Sequence, residues 1–213
     1  MRDIPVFTTE HGAASLVLKE IPYKGIAYIT LQSSMDPVKL LKECVDFCKM
    51  AGAKKVYATG HEALEKYPLY TKVIKMQQLR GNLPVGDGCL FPVTEDTAEL
   101  WRSIYNEKMQ SVPNAATITQ TDMKCHLSEG TCYFVHKEDK VLGIGMVFED
   151  KVKAIAACER GAGELVMLTL CNALFSEIVT IEVATTNILA LHLYERLGFQ
   201  TVADLISWYD VNT

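Results

Sequence analysis

The order in which apolar periodicity changes along this chain constrains its fold more than any single motif does. From residue 141 onward, strand-like runs at 141–149, 151–158, 178–184 and 199–210 are separated by helix-like runs at 164–176 and 188–197, with few residues between them. A helix in such a series has no apolar surface to pack on except the sheet its neighbours form, so the pattern predicts an α/β protein with a mixed sheet. Upstream, residues 13–32 read as two β-rich runs joined by a Pro22/Gly25 turn. Asp36 and Pro37 then open a helix with the stripe Leu40, Leu41, Cys44, Val45, Phe47 and Cys48, followed by a strand at 54–59 and a weaker helical stretch at 62–78 containing Pro68. The β-β-α-β-α order of residues 13–78 thus recurs at 141–197. Gly81, Pro84, Gly86, Gly88 and Pro92 crowd the stretch between, which places a boundary there and predicts domains at 1–79 and 80–213. After it come a short strand at 89–93, a helix led by Thr94 or Thr97, a polar stretch at 112–130 without a predicted element, and a strand at 131–137.

Composition excludes several classes. With 49% hydrophobic and 22% charged residues in 213, the chain is globular in type. Its longest nearly apolar run, 165–175, is too short to span a bilayer and is broken by Thr169 and Asn172, and the amino terminus has no apolar signal region, so a cytoplasmic protein without membrane contact is expected. Seven cysteines without a CxxC pair predict reduced thiols and no metal site. The charge is uneven. Residues 1–88 carry 12 Lys and Arg against 9 acids, and residues 89–213 carry 9 against 17, or +3 and −8. The acidic part argues against nucleic acid and favours a cationic partner such as an amine.

Two segments carry chemistry. Arg160-Gly161-Ala162-Gly163-Glu164-Leu165 follows a strand and opens a helix; glycines allow a tight turn and close approach, and free N–H groups at a helix start favour an anion. The same pattern also describes an ordinary tight turn. The second segment is Ile181-Glu-Val-Ala-Thr-Thr-Asn187-Ile-Leu-Ala190-Leu-His-Leu-Tyr194-Glu-Arg-Leu-Gly198-Phe199. Asn187 reads as an N-cap, Ala190 and Tyr194 share a helix face, and Gly198 ends the helix before a strand.

This second segment is similar to the GNAT superfamily of acyl-CoA-dependent N-acyltransferases, in which a strand ending in Glu-Val leads to Asn-x-x-Ala-x-x-Leu-Tyr-x-x-x-Gly-Phe. The family's pyrophosphate loop, Arg/Gln-x-x-Gly-x-Gly/Ala, falls on Arg160, Gly163 and Leu165, of which the first two match. The resemblance implies a GNAT-like fold at 80–213, preceded by a half-GNAT-like domain that lacks a glycine loop. It implies acetyl-CoA as acyl donor, with no metal, held by Ala157, Cys158, Arg160, Gly161, Ala162, Gly163, Glu164, Leu165, Asn187 and Ala190. Tyr194 is then the phenol that protonates departing CoA thiolate, or else an aromatic packed between helix and sheet. Glu182 is the general base, acting through water, or else a solvated strand carboxylate. Asn187 contacts the donor or only caps its helix. A backbone N–H near Ala157 or Cys158 would stabilise the oxyanion.

The expected activity is acetyl transfer to a primary amine, on a small molecule or a peptide, by direct attack in a ternary complex. The alternative is a catalytically weak acyl-CoA-binding or protein-interaction module on the same fold, motivated by Leu165, the short loop before it and the half-domain. The sequence leaves the acceptor and the oligomeric state open.

Overall fold

A computed structural model describes residues 5–212. Its contacts divide the chain into two units, Met1–Lys72 with Leu205–Thr213, and Val73–Asp204. The elements in chain order are β1 (Val6–Thr9), β2 (Gly12–Val17), α1 (Ile21–Lys24), β3 (Ile26–Ser34), α2 (Pro37–Met50), β4 (Lys55–Thr59), β5 (Leu69–Leu79), β6 (Cys89–Pro92), α3 (Glu95–Met109), α4 (Gln120–Glu129), β7 (Cys132–Lys137), β8 (Lys140–Phe148), β9 (Lys151–Ala157), α5 (Gly163–Cys171), β10 (Ile178–Ala184), α6 (Ile188–Arg196) and β11 (Gln200–Asp210). The expected α/β class with a mixed sheet holds. None of these helices is long and apolar enough to cross a membrane.

In the first unit β1, β2 and β3 form an antiparallel meander, β4 adds parallel to β3, and the end of β11 pairs antiparallel with β4. The Asp36 side chain accepts from the Lys39 N–H at 3.1 Å, and Pro37 occupies the first turn, which is why α2 starts where the sequence places it. Leu40, Leu41, Cys44, Val45 and Cys48 bury one stripe of α2 against Ala14, Leu16, Ala27 and Ile29 of the sheet. Phe47, expected in that stripe, is 37% exposed and instead meets the Phe7 ring at 5.2 Å. Burial pushes the Cys44 and Cys48 thiols up to about 12 and about 11, so both stay protonated at neutral pH.

The second unit orders its strands β5-β10-β9-β8-β7-β6, antiparallel except for the β9/β10 pair. Two cores cover its two faces. One gathers α5, α6 and the β10 residues Val179, Ile181 and Val183; the other gathers Trp101 and Tyr105 of α3, Met123 of α4, and Ala154 and Ala156 of β9. The helix α5 approaches β8 closely because Gly143 and Gly145 stand beneath it. A methyl on Gly143 would lie 2.6 Å from the Ala156 carbonyl oxygen and 2.7 Å from Val166 Cγ2, both in a packed interior. Gly143→Ala is expected to lower the unfolding free energy by about 1–3 kcal/mol, read from a denaturant titration; an unchanged midpoint would mean that the helix can lift without cost.

Two local readings are corrected. Residues 62–78 are not a helix: a single 3-10 turn at Glu62–Leu64 precedes β5, whose Val73–Leu79 segment pairs antiparallel with β10. Ile74 and Met76 are buried two residues apart on one face of the strand, and the ladder to β10 outweighs a weak local helical bias. The first unit therefore repeats the β-β-α-β order of the second without its last helix. Conversely, the polar stretch at 112–130 contains α4, closed at its start by reciprocal hydrogen bonds between Thr119 and Asp122. Met123 is the only residue of α4 that is fully buried, so the helix carries almost no apolar period to detect.

Candidate active site

The parallel strands β9 and β10 pair only at Lys151 with Thr180 and Val152 with Ile181. Their closed end is fastened by the turn before β9, where Thr180 donates its N–H to the Asp150 carbonyl at 2.8 Å and its hydroxyl to the Asp150 carboxylate at 2.7 Å, while Gln77 Nε2 donates to the hydroxyl at 3.0 Å. Just beyond, the β8/β9 register shifts between Met146 and Val147, leaving Lys153 as an extra residue on β9. From there the strands part. A cleft of about 920 Å³ opens between them, lined by Ile155, Ala156, Ala157 and Cys158 on one side and Glu182, Val183 and Ala184 on the other. By contrast, β3 and β4, the corresponding parallel pair of the first unit, stay in register over five residues from Ile26/Lys55 to Thr30/Thr59 and leave no such gap.

The ladder decides which backbone groups face the cleft. Cys158 donates its N–H to the Leu142 carbonyl at 2.8 Å, so it is spent inside the sheet and, contrary to expectation, is not free for an oxyanion. In an antiparallel ladder the next N–H points the other way, which turns that of Ala157 from β8 toward the cleft. The Cys158 thiol lines the cleft, and burial raises it above its ordinary value.

At one end of the cleft the chain leaves β9 through Glu159, Arg160 and Gly161. Gly161 has φ +86°, a conformation that a side chain would strain, and the turn is closed by the Ala162 N–H on the Glu159 carbonyl at 3.2 Å. Ala162 is the N-cap of α5 and supplies no side-chain acceptor, so the first-turn N–H groups of Gly163, Glu164 and Leu165 have no partner within the helix. Arg160, Gly161, Gly163 and Glu164 line the cleft; Ala162 and Leu165 do not. The half-buried Leu165 side chain therefore lies off the cleft wall, and its carbonyl accepts the Thr169 hydroxyl at 2.7 Å. Glu164 is held by Arg196 at 3.1 Å.

The helix α6 supplies the opposite wall with Asn187, Ala190, Leu193 and Tyr194. Asn187 stands at the N-cap, yet its side chain makes no capping hydrogen bond, so capping does not account for it. Tyr194 is 6% exposed, packs against Phe199 at 6.0 Å between ring centres, and still borders the cleft. Burial, with the neighbouring Cys171 as a smaller cause, drives its phenol above the ordinary tyrosine range, so it holds its proton throughout the neutral range.

Glu182 occupies the other face of β10. Thr180 and Ala184, which share that face, are buried, while Glu182 and, at the start of the strand, Ile178 are open. Its Oε1 lies 3.1 Å from Lys151 Nζ. The site also contains residues for which the sequence offered no signal: Lys153, and Tyr105, Lys108 and Met109 of α3, with the loop residues 112–116 after them. Asn114 in that loop has φ +63°, an uncommon backbone state for a residue with a side chain.

No protein-family model matches the sequence, and no curated protein matches it. Solved structures do match in shape. A GCN5-related N-acetyltransferase from Sphaerobacter thermophilus aligns over 94% of this chain and 77% of its own at TM-score 0.58 and 10% identity. One from Anabaena variabilis aligns over 93% and 59% at TM-score 0.61 and 12% identity, and a GNAT-family acetyltransferase from Colwellia psychrerythraea over 96% and 84% at TM-score 0.52 and 12% identity. At such identities the likeness is one of fold: the chain has the GNAT fold.

Proposed function

We propose that the protein transfers an acetyl group from acetyl-CoA to a primary amine, both held in the cleft between β9 and β10. The observation that carries this reading is the parting of those two strands, which brings an uncapped helix start, an inward-turned backbone N–H, a buried phenol and an open carboxylate to one cavity. The residues fit an acyl-CoA. The first-turn N–H groups of α5 and the Arg160 guanidinium suit a pyrophosphate, and Gly163 leaves room for it, since a Cβ there would meet nothing nearer than Leu193 Cδ2 at 3.6 Å. When bound, acetyl-CoA supplies an acyl group activated as a thioester.

The remaining chemistry belongs to the chain. An amine is mostly protonated near neutrality, and Glu182 takes that proton directly or through water, after which the nitrogen can attack. The Ala157 N–H, fixed by the β8 ladder, donates to the oxygen on which negative charge develops. The Tyr194 hydroxyl keeps its proton until sulfur leaves and then donates it. Holding the partners together replaces a bimolecular encounter with a positioned one. The first unit, whose strands do not part, serves as support and leaves one active site per chain. The competing reading, a weak binding module, was motivated partly by a leucine in the pyrophosphate loop, and that side chain stands off the cleft wall.

The test is thermal unfolding with CoA and acetyl-CoA, followed by thiol release with a panel of amines. Ligand at 100 times its dissociation constant adds about 2.7 kcal/mol of stability. Stabilisation together with amine-dependent thiol release is expected. Stabilisation without release from any amine would favour the binding module, and no stabilisation at all would remove the acyl-CoA assignment.

A further inference from the structure

We propose that the acceptor amine carries an oxyanion of its own, a carboxylate or phosphate close to the amino group; this rests on the acetyl-transfer reading above and specifies its substrate class. The starting point is the charge around Glu182. Lys151 Nζ lies 3.1 Å from its Oε1 and so balances it. Lys75 stands directly opposite Glu182 in the β5/β10 ladder, and residues paired in this way project from the same face of the sheet with neighbouring side chains. Lys153, the extra residue at the β9 bulge, lines the cleft with its ammonium 4.2 Å from the centre of the Phe148 ring. Lys108 reaches the same cleft from α3.

Glu149 acts on Lys151 from the turn before β9, and the other acidic groups near the region are engaged or lie elsewhere along the cleft. Glu107 is 3.8 Å from Lys108, Asp150 accepts the Thr180 hydroxyl, and Glu159 lies beside Arg160 at the approach to α5. Among the described residues neither Lys75 nor Lys153 has a carboxylate partner. Residues 89–213, with 9 basic against 17 acidic residues, supply Lys151 beside Glu182 and Lys153 and Lys108 along the same cleft, and Lys75 comes from the more basic stretch before them. Such a site repels a simple alkylammonium or a polyamine. An amine with an adjacent oxyanion is attracted by Lys75 and Lys153.

Matched pairs of acceptors test this by thiol release with acetyl-CoA: β-alanine against β-alanine amide, O-phosphoethanolamine against ethanolamine, and spermidine as a polycation. The anionic member of at least one pair is expected to show a kcat/KM about tenfold or more above its neutral partner. That ratio should fall about fivefold in Lys75→Gln and in Lys153→Gln, and should shrink as ionic strength rises. Melting temperatures of the variants check that they are folded. Release that favours neutral amines or spermidine, or an anionic preference that neither variant diminishes, would overturn the proposal and leave acetyl transfer standing. Binding of acetyl-CoA with no release from any of the five amines would remove acetyl transfer from this set and the proposal with it. The two pairs separate carboxylate from phosphate.

Discussion

Tyr194→Phe is expected to lower turnover by something on the order of 10²-fold while CoA affinity and melting temperature stay near those of the wild type. The ring supplies the contact with Phe199 and the burial in the α5/α6 core, and phenylalanine keeps both. Only the hydroxyl is lost. Burial raises its pKa, so at neutral pH it stays protonated and any proton transfer it makes is as a donor, not as a phenolate base. If the hydroxyl served packing alone, the cost would be about 1 kcal/mol of stability with turnover intact. Steady-state turnover with an identified amine at saturating substrate, alongside CoA affinity, decides between the two. Unchanged turnover would refute the proton-donor role and leave solvent as the source of the proton.

Gly163→Val is expected to weaken CoA binding by tenfold or more while costing the fold little. The backbone at this position is not in the left-handed region, and a Cβ would make only an ordinary contact with Leu193 at 3.6 Å, so the protein itself tolerates a side chain here. A β-branched residue in the first turn of α5 would instead fill the space over the free N–H groups that an anion has to approach. Gly161 is a poorer site for the same test, because any side chain there is strained whether or not a ligand binds. Isothermal titration with CoA and a melting curve give the two readouts. Equal affinity in a folded Gly163→Val protein would remove α5 from the donor site.

Legibility followed the range of the interaction responsible. The caps and stops of single elements were readable because a few neighbouring residues suffice to make them: Asp36 and Pro37 start α2, and Gly198 at φ +83° ends α6 and sends Phe199 into the interior. The segment running from Glu182 through Asn187 to Tyr194 was legible for the same reason, since a strand, a turn and a helix adjacent in sequence bring those residues to one place whatever the rest of the chain does. The helical reading of 62–78 failed because β5 is made a strand by β10, about a hundred residues away, and α4 went unseen because Met123 is its one fully buried residue and leaves little apolar period to read.

The sequence by itself determined the α/β class, the order of most strands and helices, and the short run of residues that carries the proposed proton chemistry, because apolar periodicity and capping are written in neighbouring residues. Only the tertiary structure decided where two strands part to make a cleft, that the Cys158 N–H is consumed by β8 while that of Ala157 is turned toward the cleft, and that Lys151 and Lys75 stand beside Glu182 while Lys153 lines the cleft. Each depends on register between segments distant in the chain. One bulge on β9 or one step of slip against β10 would send those side chains to the other face without changing a single local preference.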